Sequence, residues 1–240
     1  GAAFRRLSQK GTGKLSGLGE VASVSIGIVC ALSVGALPGF ISGKIREKSQ
    51  VPTFITTLAF LTVLSGAANL LTNGFPVLTF PEWYGFLGSG YIFGIPFAVY
   101  IFAIVFAAIY FLMDHTTLGR SIYAVGGNME AARLSGIKIW KVKTVALMIT
   151  SGLAALSGLL VSSQIMAGNA TSAKGWELDV ISAVIIGGAS LNGGKGKITG
   201  TLVGIIFLGF MSNGMTLLNL SEYIQMVVKG GVILAAVLVN

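Results

Sequence analysis

Over residues 51–113 the chain carries no Lys or Arg, and Glu82 is the single charged side chain. A stretch this apolar cannot surround a soluble core and still present a polar coat. A bilayer accepts it, because a spanning helix needs about 20 consecutive apolar residues and satisfies its own backbone hydrogen bonds. The rest of the sequence agrees: 54% of residues are hydrophobic and 10% charged, with a mean hydropathy of +0.85. The expectation is an all-α, polytopic transmembrane helical bundle. With 240 residues, no room is left beside it for a soluble catalytic domain.

The charges set the orientation. A net charge of +8 in a soluble protein would point to nucleic acid, but here the cations fall in short clusters between apolar stretches, which is the positive-inside pattern of a membrane protein. Spans are expected at 21–41, 51–71, 95–113, 144–164, 198–217 and 223–239, with a shorter apolar segment at 179–191, about seven in all. That shorter segment either crosses or re-enters, and Lys195 and Lys197 after it favour a crossing. Lys44, Arg46 and Lys48 place the end of the first span inside, and the loop 114–143, with Arg120, Arg133, Lys138, Lys141 and Lys143, returns there. Residues 72–94 read as an external loop, with Trp83, Tyr84 and Tyr91 suited to an interfacial belt.

Arg5, Arg6, Lys10 and Lys14 disagree with this scheme, because parity places them outside. A basic segment at 1–20 is therefore separated from a transmembrane domain at 21–240. The absence of an initiator Met leads us to expect natural sequence upstream.

Small residues recur every four positions at Gly27, Ala31, Gly35, Gly39 and Gly43, and at Gly196, Gly200 and Gly204. Such rows let helix backbones approach closely. Packing within the chain is favoured over a dimer seam. The run from Gly187 to Lys197 superficially resembles a phosphate-binding loop, but Ala189 stands where Gly is required and Gly196 where Ser or Thr is required. His115 and Cys30 are the lone residues of their types, so neither a His-based metal site nor a disulfide can be assembled within one chain.

Within the basic loop, Asn128 is a good N-cap, 129–135 suits two helical turns, and Gly136 suits a left-handed C-terminal cap. Glu130 and Arg133 form an i,i+3 pair that also complements the helix dipole. A helix so short is marginal in water, so the membrane domain or a partner must hold it.

Here the sequence resembles a known family. The run Gly-Gly-Asn-Met-Glu-Ala-Ala-Arg-Leu-Ser-Gly from Gly126 to Gly136 is similar to the cytoplasmic coupling motif of ABC importer permeases. Leu-Gly-Arg-Ser-Ile-Tyr-Ala-Val before it resembles the ribose/galactose/xylose branch, as do the run from Trp176 to Gly196 and Gln-Met-Val-Val-Lys-Gly from Gln225. The resemblance implies a homodimeric permease in the bacterial cytoplasmic membrane, a multi-pass protein embedded in lipid, with about ten spans in the complete family pattern and the first few lacking here. It also implies ATP-binding subunits inside, an extracytoplasmic sugar-binding protein outside, and no nucleic acid partner. ATP and Mg would be bound by the partner ATPase, which hydrolyses it, and the permease would hold no cofactor and catalyse nothing. Gly127, Asn128, Glu130, Ala131, Ala132, Arg133, Ser135 and Gly136 would be the ATPase-coupling residues.

Thr62, Ser65 and Asn69 share one face of an uncharged span, and Ser162, Ser163, Gln164, Ser212, Asn213 and Thr216 add further polar groups. A charged solute usually demands an opposite charge in its pathway, so Thr62, Ser65, Asn69, Ser212 and Asn213 are candidates for a neutral, hydroxyl-rich one. Equally, such residues bond their own helix carbonyls or glue helices together. Lys229, the one cation inside a span, should pair with Glu222 or a carbonyl. Trp176, Glu177 and Asp179, at the external mouth, either meet the binding protein or cap a helix. Two rivals stand beside this reading: a secondary transporter, which would need coupling-ion ligands such as acidic residues deep in a span or broken helices, and a structural scaffold without an ATPase.

Overall fold

The computed structural model describes residues 26–49, 52–78, 80–190 and 193–239. Arg5, Arg6, Lys10 and Lys14, the segment 1–20, and Leu191 with Asn192 of the glycine-rich run lie outside the described residues.

Five described helices are long and apolar enough to cross a membrane: α1 (Ile26–Lys48), α2 (Thr53–Thr72), α4 (Phe97–His115), α7 (Ile139–Ile165) and α9 (Ile198–Leu217). Their order is completed by α3 (Gly85–Ser89), α5 (Thr117–Gly127), α6 (Met129–Leu134), α8 (Trp176–Ile186) and α10 (Glu222–Val239). The chain is an all-α, multi-pass membrane protein. The expected spans at 51–71, 95–113 and 198–217 coincide with α2, α4 and α9 to within two residues. α7 starts five residues earlier than expected and runs for 27 residues, about 40 Å at 1.5 Å per residue. Its first turns, with Lys141 and Lys143, therefore reach past a hydrocarbon core of about 30 Å.

The segment at 179–191, which either crosses or re-enters, is shorter than a span. α8 holds 11 residues, or about 16 Å of helix, roughly half a bilayer. The crossing favoured from Lys195 and Lys197 is not made by that helix alone.

Two compact groups divide the chain. The first comprises residues up to Tyr100 together with Thr144–Ala170. In it α1 lies against α7 through its small-residue row: a Cβ on Gly35 would collide with Ala155, one on Gly39 with Leu147 and Ser151, and one on Gly43 with Thr144. Gly27 faces open space. The loop 72–94, expected outside, is more ordered than its turn residues imply. A 3-10 turn at Glu82–Tyr84 leads into α3, and a hairpin pairs β1 (Tyr91–Ile92) with β2 (Ile95–Pro96). Its tip, Phe93-Gly94, has φ of 51° and 78°, the two left-handed residues a type I′ turn requires.

Tyr84 is not part of an interfacial belt. It is 2% exposed, donates to the Leu159 carbonyl at 3.0 Å and shares a hydrogen bond of 2.6 Å with Ser162. Ser163 is fully buried, accepts from the Gly88 N–H at 2.8 Å and donates to the Tyr84 carbonyl. The hydroxyls of Ser162 and Ser163 thus pin the loop to α7 and are not free for a solute. Trp83 and Tyr91 remain exposed.

The second group comprises Ile101–Lys143 and Thr171–Asn240. Here α8 and α9 form a close antiparallel pair through the second small-residue row. Gly200 meets the Gly187 backbone and Gly204 the Ala183 backbone, both too near for any side chain. Gly35, Gly39 and Gly43 of the first row and Gly200 and Gly204 of the second therefore pack within the chain.

Candidate coupling and translocation sites

The basic loop is built from two helices that share one cap. Thr116 caps α5, accepting from the Gly119 N–H at 3.2 Å. At the far end the Asn128 N–H reaches the Ala124 carbonyl at 3.0 Å and closes α5. The Asn128 side chain then accepts from the Ala131 N–H at 3.0 Å and opens α6. α5 was not expected from the sequence, although Thr116 before a segment with apolar Leu118, Ile122 and Val125 was the signal for it.

α6 ends as its sequence dictates. Gly136 has φ +82°; its N–H bonds the Arg133 carbonyl at 3.0 Å, and the Ile137 N–H bonds the Ala132 carbonyl at 3.1 Å. These two bonds make a Schellman motif, which satisfies carbonyls a helix end otherwise leaves open. Arg133 and Glu130 pair at 3.0 Å, but both are well exposed, so the pair adds little stability. What holds so short a helix is burial: Ala132, 4% exposed, sits against Val125 and Val142, with Ile122, Ile137 and Ile139 around them. α6 is thus anchored by α5 and the start of α7, while Met129, Glu130, Ala131, Arg133, Leu134 and Ser135 stay on the outside. Leu134 is 83% exposed. Desolvation by burial, and secondarily the negative charge of Asp114, raise the Tyr123 phenol above its ordinary range. It stays neutral, leaving the charge of this surface to its Lys, Arg and acidic residues.

The glycine-rich turn after α8 touches the same place. A Cβ on Gly126 would lie 2.6 Å from the Gly194 N, and one on Gly194 would strike Gly127. By Gly194 the chain is therefore back beside the loop that holds α6. Gly193 and Gly194, with φ of 86° and 74°, allow this backbone-to-backbone contact.

The polar candidates for a pathway are not brought into one place. On α2, Thr62 donates to the Ala59 carbonyl at 2.8 Å and Asn69 to the Ser65 carbonyl at 2.8 Å. The Thr62 hydroxyl proton and one Asn69 N–H are thus committed to their own helix, which leaves Asn69 its second N–H and its acceptor oxygen. Ser65 shares their face. Ser212 and Asn213 lie on α9, and Ser212 borders a cavity beside α8.

At the start of α8, Glu177 accepts from the Gly175 N–H at 3.0 Å and serves as a local cap. Asp179 is engaged elsewhere: its Oδ2 receives the Lys229 ammonium at 2.8 Å. The expected pairing of Lys229 with Glu222 is therefore corrected. Glu222 is seven positions away on the same helix, whereas α8 brings a carboxylate to Lys229 directly. A lysine ammonium among apolar helices is costly to leave without a partner, and this pair offsets part of that cost. Trp176 is half-exposed and borders the same cavity as Ser212.

Five apolar helices long enough to span, with a short capped helix exposed on the basic loop, define a multi-pass membrane protein. The sequence matches the family described as branched-chain amino acid transport system / permease component over residues 9–237, and the chain belongs to that family. It is 45% identical over 219 residues to the ribose import permease protein of Escherichia coli (strain K12), covering 90% of this chain and 68% of that one. To the ribose import permease protein of Bacillus subtilis (strain 168) it is 40% identical over 201 residues, 83% of this chain and 62% of that one. To the L-arabinose ABC transporter permease protein of Azospirillum brasilense it is 33% identical over 216 residues, 90% and 64% respectively. No solved structure matches. The chain is the membrane permease subunit of an ATP-binding cassette importer, located in the cytoplasmic membrane.

Proposed function

We propose that this subunit carries a monosaccharide of the ribose type inward, working as a homodimer with ATPase subunits on the side of the 114–143 loop and a sugar-binding protein on the other side. ATP and Mg belong to the ATPase. The observation that carries the coupling role is α6, capped at both ends, anchored through Ala132, and presenting Glu130, Ala131, Arg133 and Ser135 outward. A helix braced in this way passes force on to α5 and α7, which a flexible loop cannot do. Closure of the ATPases against α6 would then shift the spans between inward- and outward-open states.

The assignment of a neutral sugar is supported by the names of the relatives and by the electrostatics of the spans. Lys229 on α10 already has Asp179 for a partner, so this ion pair presents no uncompensated charge that would demand an ionic solute. The test is co-purification of the complete permease with its ATPase and binding protein, followed by ATPase measurement against a panel of pentoses and hexoses. Stimulation by one or a few monosaccharides is the expected result. A complex that forms but responds only to amino acids would overturn the cargo, and failure to retain any ATPase would overturn the coupling.

A further inference from the structure

We infer that the hairpin 91–96 is a membrane anchor, whose aromatic tip lies in the lipid headgroup region at the start of α4 and fixes how deep that span sits. The inference does not depend on which solute is carried. α4 holds 19 residues, about 28 Å of helix, which a hydrocarbon core of about 30 Å takes up from end to end. Phe97, its first residue, therefore stands at one edge of the hydrocarbon, with Asp114 and His115 at the other. Three contacts tie the hairpin to that edge. The Phe97 N–H donates to the Gly90 carbonyl at 2.8 Å, the Tyr100 hydroxyl donates to the Ile92 carbonyl at 3.1 Å, and the Phe97 ring packs on Phe86 with centroids 5.4 Å apart. Tyr100 lies in the first turns of α4, so its bond keeps the hairpin level with the end of the helix.

The tip itself calls for something outside the chain. Phe93 stands at φ 51°, a left-handed conformation in which a bulky residue is an outlier and where a two-residue hairpin turn ordinarily carries Asn, Asp or Gly. At 97% exposure its ring touches too little of the described chain to offset that strain. Tyr91 and Ile95 beside it are exposed as well, and the apolar surface continues onto α4 through exposed Val99. Between Glu82 and Asp114 no side chain is charged. A surface that receives a soluble protein carries a polar rim and complementary charge, and this hairpin has no charge to offer. An uncharged aromatic tip beside the end of a span suits the boundary between headgroups and acyl chains, where such rings gather and set the depth and tilt of the helix they flank.

The experiment uses the complete transporter in vesicles of phosphatidylethanolamine and phosphatidylglycerol. With every other cysteine of the permease replaced by Ser, Phe93→Cys carries an environment-sensitive fluorophore, and purified yield checks folding. Lipid bearing a nitroxide near its headgroup should remove most of the emission, and iodide on both sides of the bilayer little of it. A second variant separates the ring from the turn. Asn suits a left-handed turn better than Phe does, so turn geometry alone would slow amide hydrogen exchange over residues 91–95 in Phe93→Asn, whereas loss of the anchor should speed it several-fold in lipid nanodiscs. Quenching by iodide and not by lipid places the tip in water, and quenching by neither places it against a second copy or another protein. Either result, or exchange that is unchanged or slower in Phe93→Asn, overturns the anchor.

Discussion

Asn128 serves two helices at once, its backbone closing α5 and its side chain opening α6. Gly136 closes α6 from the other end at φ +82°, where a Cβ would cost about 1 kcal/mol or more. Gly136→Ala and Glu130→Ala are expected to leave the bundle folded, because Ala132 and its apolar neighbours stay in place, and to uncouple transport. Sugar uptake should fall tenfold or more while detergent-solubilised yield and helical circular dichroism stay unchanged. Normal sugar-stimulated ATPase and uptake in both variants would contradict this role.

Thr144 makes a separate prediction. It is 4% exposed beside Gly43, and its Oγ1 is buried without a hydrogen-bond partner among the described residues. An unmet buried hydroxyl costs about 1–3 kcal/mol. Thr144→Val, of nearly the same shape, should therefore raise the unfolding midpoint in detergent. A lower midpoint would show that the hydroxyl has a use.

The residues legible in the sequence were those whose chemistry is local. Asn128, Gly136 and the Glu130–Arg133 pair follow from spacings of a few positions, and all three hold. Asp179 and Lys229 are 50 positions apart, and nothing local joins them. Tyr84 reads as a belt residue because its ring and hydroxyl suit an interface equally well; only the position of α7 shows that Ser162 receives it.

At the scale of elements, the long helices were readable from unbroken apolar length alone, and α8 was not. Its residues are as apolar as a span, but Gly187 and Gly188 end it after 11 residues, and the chain goes on through a turn whose course depends on Gly126 and Gly127. α5 is amphipathic and sits among cations, so its sequence reads as a loop as readily as a helix. The glycine rows were readable as close-packing devices, and each has a specific opposite helix. That gives a contrast within α1. Gly39→Leu should split α1 from α7 and sharply lower yield and thermal stability, whereas Gly27→Leu, in open space, should be close to neutral. Equal damage from both would show that the row has a different partner. The α8–α10 ion pair makes a further one: Asp179→Asn should destabilise by leaving a lysine unpaired, and adding Lys229→Met should recover much of the loss. Additive losses in the double variant, read from detergent unfolding, would contradict direct coupling.

For the whole molecule, the central claim is that α6 is where the energy-supplying partner touches the permease. The most direct measurement is site-specific cross-linking in the assembled transporter. Cys30 is the only cysteine among these 240 residues, so Cys30→Ser, with any further cysteine of the permease also replaced by Ser, gives the background, and Leu134→Cys and Phe93→Cys then place thiols on α6 and on the tip of the hairpin, at positions 83% and 97% exposed. The account predicts that a short bifunctional reagent joins the Leu134→Cys variant to the ATPase subunit and the Phe93→Cys variant to no ATPase. Efficient cross-linking from position 93 to the ATPase, with none from position 134, would contradict it.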